Sequence, residues 1–230
     1  MNGKISTVGY MFLGMIGSII FATSDYLTSY GDPTPLSNKV MFYTVGVSQI
    51  PGWRNNLAMI TSILSVIPFG IGLFYLENFI TSERNKKIYH YTLSFSFTGW
   101  LFLHYFFTTL FYTLHYLMTK GYKDIAIPIS EALYSHFFWV LPTCLVIISI
   151  PHAYYFWLMI KGDTIFSRYM AFLHHSILSY VLYGIDVFFP EGAFKAGFFF
   201  ASGNQSSVLF FAILIIYFSF FSKDHNKKQN

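Results

Sequence analysis

The feature that most constrains this chain is its succession of long apolar blocks separated by short polar segments. A block of more than about 18 apolar residues is long enough to cross the hydrocarbon of a bilayer as a helix. Only 10% of the 230 residues are charged, whereas an ordinary soluble domain has about a quarter. Because the hydrocarbon offers no hydrogen-bond partners to an open backbone, helices are required there. The sequence therefore predicts an all-α integral membrane protein whose first partner is the lipid bilayer.

Six apolar blocks predict one transmembrane domain over residues 1–230, built as a bundle of six transmembrane helices. The predicted spans cover approximately residues 8–30, 57–80, 91–118, 129–160, 165–189 and 206–222. The fourth is longer than the roughly 20 residues that a crossing needs, so Pro142 and Pro151 are expected to kink it.

Basic residues predict the orientation of the bundle. A cytoplasmic N-terminus places most of the 14 lysine and arginine residues on the cytoplasmic side, as the positive-inside rule requires. With six spans, the C-terminus is then cytoplasmic too. High usage of Phe, Ile, Asn and Lys is typical of an AT-rich bacterial genome, so the expected location is a bacterial plasma membrane. The net charge of +4 is too small to favour a nucleic-acid partner.

Two predicted spans carry the same pattern of polar residues. Eleven helical steps return a side chain to within about 20° of its starting direction, so each set forms a stripe on one helix face. The third span has His104, Thr108, Tyr112 and His115, and the fifth has His175, Ser179, Tyr183 and Asp186. The corresponding positions of the first span, Gly14, Ser18, Ala22 and Asp25, form a face on which small side chains allow a close helix approach.

An ionisable side chain inside a span costs at least about 2.5 kcal/mol, so it indicates a function. We expect the two stripes to face each other across an outward-opening cleft, with Asp25, His115 and Asp186 converging at its mouth. Imidazole and carboxylate groups suit a divalent metal, which is the one cofactor that the pattern suggests. The alternative is that the stripes only join neighbouring helices through hydrogen bonds.

Three more ionisable residues extend the candidate pocket. Arg54 is placed to pair with Asp25 across a helix hairpin. The alternative is an interfacial arginine whose charged end reaches the membrane surface. Glu131 and His136 lie in the outer turns of the fourth span, but about 140° apart around the helix, so one small site does not easily include both. The positive end of a helix is an alternative reason for Glu131 to be there.

Three short segments carry a family resemblance: Ser24-Asp25-Tyr26-Leu27, Trp53-Arg54, and Gly70 to Tyr75. The chain resembles a family of uncharacterised bacterial multi-pass membrane proteins, known only as a domain of unknown function. This resemblance implies a membrane location and no particular activity.

The function that these observations favour is the binding of a small or lipid-like ligand in an intramembrane polar pocket. A metal-dependent hydrolase of a lipid or peptide is one alternative, and a small-solute or proton-coupled transporter is another. A P-loop, a dinucleotide fingerprint and a nucleophilic serine elbow are all absent from the sequence, so nucleotide-driven transport and classical serine hydrolysis are unsupported. The sequence does not decide whether the protein is an enzyme.

Overall fold

The computed structural model describes residues 6–221, and within this range the chain is helical and contains no β-strand. The all-α prediction is confirmed. Lys4 and the basic tail beyond residue 221, on which the predicted orientation partly depends, lie outside the described residues. The helices are α1 Thr7–Ser29, α2 Val45–Ser48, α3 Gly52–Tyr75, α4 Glu83–Thr119, α5 Lys123–His136, α6 Val140–Lys161, α7 His175–Gly184, α8 Ala193–Phe200 and α9 Ser202–Ile216.

Within residues 6–221, four helical segments are long and apolar enough to cross a membrane: Thr7–Ser29, Gly52–Phe79, Val140–Lys161 and Ser202–Phe220. They correspond to the first, second and sixth predicted spans and to the second half of the fourth. The helix α4 is longer still, with 37 residues, but it is more polar. These segments fit integration into a lipid bilayer.

The outward face of α3 is apolar in the way that lipid contact requires. Ile60, Ile63, Leu64 and Ile67 are each more than half exposed, and their spacing places them on one side of the helix. A contiguous apolar face of this kind on a soluble protein would be a liability. In a bilayer it is the surface that acyl chains cover.

The small-residue face of α1 packs directly against α3 and α9, as predicted. A Cβ atom added to Gly17 would clash with the backbone of Phe69, and one added to Gly14 would clash with the ring of Phe211. Gly72 lies against the backbone of Gly14 in the same way. Small residues therefore bring the three helices close together, and Asp25 follows this contact toward the C-terminal end of α1.

The fourth predicted span, 129–160, is wrong as a single helix. The chain leaves the helical path between His136 and Val140, so α5 and α6 are separate helices. Pro142 does not kink a helix, because it lies in the first turn of α6. Backbone N–H groups in a first turn have no intrahelical acceptor, so a proline there breaks no helical hydrogen bond. Pro151 does lie inside α6.

The fifth predicted span, 165–189, is also not one helix. It consists of a 3₁₀ segment Arg168–Leu173, the ten-residue helix α7 and a second 3₁₀ segment Ile185–Phe188. His174 separates the first two with an extended backbone and caps α7 by accepting a hydrogen bond from the Ser176 N–H. A 3₁₀ turn advances about 120° per residue rather than 100°, so the predicted stripe is not continued beyond Gly184.

The polar connection between α1 and α3 is folded onto the ends of α4 and α5. The Tyr43 ring is fully buried among Leu110, Leu114 and Ala126, and its hydroxyl donates to the Ser130 carbonyl oxygen over 3.1 Å. The connection is therefore an ordered cap over that end of the bundle.

Candidate functional site

Asp25 is the buried charged residue around which the site is built. Its side chain is 8% exposed, and Oδ2 accepts a hydrogen bond of 2.6 Å from the side-chain amide of Asn204. The other oxygen, Oδ1, lies 3.7 Å from Nδ1 of His104. Three helices distant in sequence, α1, α4 and α9, thus meet at one carboxyl group.

Asn204 is a site residue that the sequence prediction missed. The predicted sixth span begins at residue 206, which leaves Asn204 in a loop, whereas α9 begins at Ser202. Asn204 therefore lies in the first turn of that helix, with only 4% of its surface exposed. The positive end of a helix favours a nearby carboxylate. A helical register extended back from Phe211 and Ser207 was the signal that could have identified it.

His104 is held by aromatic neighbours. Its ring stacks on Phe21, with centroids 5.0 Å apart, and lies parallel to the ring of Trp100 at 6.1 Å. Its Nε2 atom is buried without a hydrogen-bond partner, and the same holds for Trp100 Nε1 and Asn204 Oδ1. A buried polar atom that lacks a partner costs about 1 to 3 kcal/mol, so this group of residues has unused hydrogen-bonding capacity.

A cavity of about 220 Å³ lies beside the Asp25 carboxyl group. One water molecule takes about 30 Å³, so the space holds several waters or one small organic molecule. Polar residues from α1, α4 and α9 line one part and apolar or aromatic residues line the remainder. The lining residues are Ser24, Asp25, Thr28, Trp100, Leu103, His104, Phe107, Thr108, Leu145, Ile148, Phe200, Gly203 and Asn204.

Only the first half of the α4 stripe reaches this cavity. His104 and Thr108 line it, but Tyr112 is 43% exposed and His115 Nδ1 lies 3.1 Å from the Ser48 carbonyl oxygen of the cap. The stripe therefore contacts two different neighbours, because α4 is long enough to pass both α1 and the connection that follows it.

Arg54 does not pair with Asp25, contrary to the prediction. Its guanidinium group donates to the carbonyl oxygens of Leu27 at 3.0 Å, Tyr26 at 3.3 Å and Tyr30 at 3.1 Å. The Tyr26 carbonyl also accepts from the Tyr30 backbone N–H at 3.0 Å, and the negative end of the helix attracts a cation. Arg54 is a cap for α1, and the Asp25 carboxylate keeps its own partners one turn away.

The α7 stripe does not face the α4 stripe across a common cleft. His175 Nε2 lies 2.7 Å from His152 Nδ1 on α6, and Ser179 is half-buried. Tyr183 is 63% exposed, and Asp186 lies 3.5 Å from Lys195 Nζ. The predicted facing stripes are wrong, because the α7 residues contact α6 and solvent, and Asp186, beyond the helix, pairs with Lys195.

The three metal candidates are likewise separated by their partners. Asp25 contacts Asn204, His115 contacts the cap and Asp186 pairs with a lysine. Among residues 6–221 no group of three His, Cys, Asp or Glu side chains is arranged to hold a metal ion. The described residues therefore supply no built divalent-metal centre.

Glu131 and His136 lie away from the cavity. Glu131 accepts a 2.6 Å hydrogen bond from Ser37 and lies 3.4 Å from Lys39 Nζ, so it anchors the cap. The Ser37 hydroxyl, and then the charge of Lys39, hold the pKa of Glu131 below its ordinary value. His136 is exposed at the end of α5, beside the ring of Phe137.

A second buried polar cluster lies next to the cavity and was not predicted. In the contact between His152 and His175, one ring nitrogen must donate and the other accept, since two N–H groups cannot face each other. Trp100 contacts His152 edge to face, with centroids 6.5 Å apart. Because Trp100 also lines the cavity, it joins the histidine pair to the Asp25 site.

Comparison with known proteins defines the family but not the activity. No curated protein and no solved structure matches the chain. A family of unknown function, DUF6796, matches residues 1–220, which include Asp25, His104 and Asn204. The match confirms the predicted resemblance to an uncharacterised family, and the chain belongs to this family of unknown function, DUF6796.

Proposed function

We propose that this protein is a multi-pass membrane protein that binds a small ligand in the cavity beside Asp25. The observation that carries the proposal is a buried carboxyl group next to a cavity of about 220 Å³. Ionisable residues at membrane depth are costly and accompany function. Small-molecule sites are typically apolar cavities with a few convergent polar groups, which describes this lining.

The same proposal includes the arrangement in the membrane. The chain crosses a bacterial plasma membrane six times, with both termini in the cytoplasm and the cavity nearer the outer surface. In addition to the four apolar spans, α4 crosses as a long helix, and the chain from Arg168 to Phe188 crosses as a broken segment.

Thiol labelling tests whether the cavity is open to water. The test protein is Thr108→Cys in a Cys144→Ala background, which removes the only native cysteine, and the reagent is the small neutral methyl methanethiolsulfonate. Since only the thiolate reacts, a cysteine in dry surroundings is nearly inert. Labelling of Thr108→Cys should be at least about tenfold faster than labelling of Leu114→Cys, which is fully buried on the same helix.

The outcome that rejects the pocket is slow labelling of both variants, at equal rates, in protein that elutes as a single folded species. An exposed cap position, Asn38→Cys, serves as the upper reference for a water-accessible thiol.

A second candidate function is proton-coupled transport of the same small ligand. The contact of His152 with His175, linked to the cavity through Trp100, favours it. Proteoliposomes that contain a pH-sensitive dye and a potassium diffusion potential test it. Proton entry above that of protein-free liposomes, lost in His152→Gln and kept in His136→Gln, supports coupling, and equal entry in all samples rejects it.

A further inference from the structure

We infer that the ligand of the Asp25 cavity is a small organic cation, namely a protonated amine with a short apolar tail. This inference rests on the proposed function, because it specifies what the same cavity binds. It follows from the number of hydrogen-bond acceptors and donors around the cavity, from the balance of charge and from the aromatic walls.

The three hydroxyl groups that line the cavity have no hydrogen to offer a ligand. Ser24 donates to the Ala58 carbonyl oxygen over 2.7 Å, and Thr108 donates to that of His104 over 2.7 Å. Thr28 donates to the Asp25 carbonyl oxygen over 3.0 Å. A hydroxyl has one hydrogen and two lone pairs, so each of the three presents only an acceptor.

The remaining polar groups add further acceptors. Asp25 has two carboxylate oxygens and receives one hydrogen bond, from Asn204. That contact fixes the orientation of the Asn204 amide, because the reverse orientation would place two oxygens against each other. The amide oxygen is thereby left as a buried acceptor without a partner. The donors are the Trp100 indole N–H, one ring hydrogen of His104 and the second N–H of the Asn204 amide. Acceptors still outnumber them, so a ligand rich in N–H groups fits.

A cationic ligand would also balance the charge of an ionised Asp25. Among residues 6–221, no lysine or arginine nitrogen lies within 4.0 Å of the Asp25 carboxylate. Of the basic side chains described, His104 alone lies within this distance, at 3.7 Å. Arg54 is already engaged with the end of α1. A buried carboxylate is strongly unfavourable without a compensating charge, and the end of α9 supplies only a partial one.

The walls of the cavity suit an alkylammonium ion. Trp100, Phe107 and Phe200 present aromatic rings, whose faces attract ammonium groups. Leu103, Leu145 and Ile148 form the apolar part, where a short hydrocarbon tail is buried favourably. A divalent metal ion fits less well, because the described residues offer no third His, Cys or carboxylate ligand.

Protection from labelling tests the inference with three probes of similar size on one protein. Thr108→Cys in the Cys144→Ala background is labelled with methyl methanethiolsulfonate in the presence of n-propylammonium, n-propanol or propionate. Alkylamines carry a positive charge at neutral pH, as lysine does. A ligand of about four non-hydrogen atoms reaches a Kd on the order of 1 mM, so 10 mM n-propylammonium should slow labelling about tenfold.

The expected result is protection by n-propylammonium alone, and its loss when Asp25→Asn is added. Equal protection by n-propylammonium and n-propanol would overturn the inference, as it indicates a proton on Asp25 rather than a bound cation. Absence of protection by n-propylammonium would overturn it too. In both cases rapid labelling of Thr108→Cys without any probe still supports the pocket itself, so the two proposals fail separately. Labelling of Asn38→Cys should be unchanged by every probe.

Discussion

The side-chain amide of Asn204 donates a hydrogen bond of 2.6 Å to the carboxylate of Asp25, and it joins the last long helix of the chain to the first. Both residues are more than nine-tenths buried. Hydrogen bonds to charged groups are the stronger ones, and removing one partner leaves the other with its full desolvation penalty.

Asn204→Ala should therefore lower the free energy of unfolding by about 1 to 3 kcal/mol, measured by chemical unfolding in detergent micelles. Asp25→Asn should be neutral or stabilising, because it keeps a hydrogen-bond acceptor and removes the buried charge. The double variant should differ from the sum of the single changes by about 0.5 to 3 kcal/mol. Additive effects would mean that the two side chains do not interact.

Arg54→Ala should destabilise the protein by about 1 to 3 kcal/mol, since the Leu27 and Tyr30 carbonyl oxygens at the end of α1 lose their donor. The Tyr26 carbonyl keeps the Tyr30 backbone N–H as a donor. Arg54→Lys should recover only part of this loss, because a lysine cannot reproduce the planar donor geometry. When Arg54→Ala is combined with Asp25→Asn, the effects should add to within about 0.5 kcal/mol. A strong coupling energy between the two substitutions would instead indicate that Arg54 and Asp25 form the ion pair expected from the sequence.

Gly17→Ala should destabilise the bundle by about 1 to 3 kcal/mol, because the new methyl group meets the backbone of Phe69. Gly184→Ala is the matched control, since an added Cβ meets nothing within 4 Å there, and its effect should stay below about 1 kcal/mol. Thermal unfolding of the two variants side by side distinguishes a close helix contact from a general intolerance of substitution.

The contribution of Glu131 to stability, through its contacts with Ser37 and Lys39 in the α1–α3 connection, should depend on pH. Because the pKa of Glu131 is lower in the folded protein than its ordinary value of 4.5, its pairing stabilises the fold above that value. The contribution is lost as the pH falls through the folded pKa. The unfolding temperature of the wild type should therefore exceed that of Glu131→Gln at pH 6 and approach it below about pH 4. A difference that persists in acid would contradict the assignment.

Long apolar blocks were sufficient to predict the all-helical fold and the four segments that are apolar enough to cross a membrane. The small residues of α1 predicted its close helix contacts. The breaks after His136 and at His174 were not predicted, because apolar composition continues through both points and hydropathy does not distinguish a bent chain from a straight one. Of the residues predicted for the pocket, Asp25, His104 and Thr108 line one cavity in the structure. Asn204, Trp100 and His152 were missed, since an amide, an indole or a single histidine acquires its role only through neighbours far away in sequence.

A cysteine scan of α4 from Trp100 to Leu114 tests whether the cavity beside Asp25 exists and is filled with water. If α4 contributes one side to a water-filled cavity, labelling by methyl methanethiolsulfonate in a Cys144→Ala background should be fast at positions 103, 104, 107 and 108, which line the cavity. It should be slow at the buried positions 110, 111 and 114, and at 101, 102 and 105, which face outward and would meet lipid. Uniform rates, or maxima at 101, 102 and 105, would contradict the existence of the Asp25 cavity.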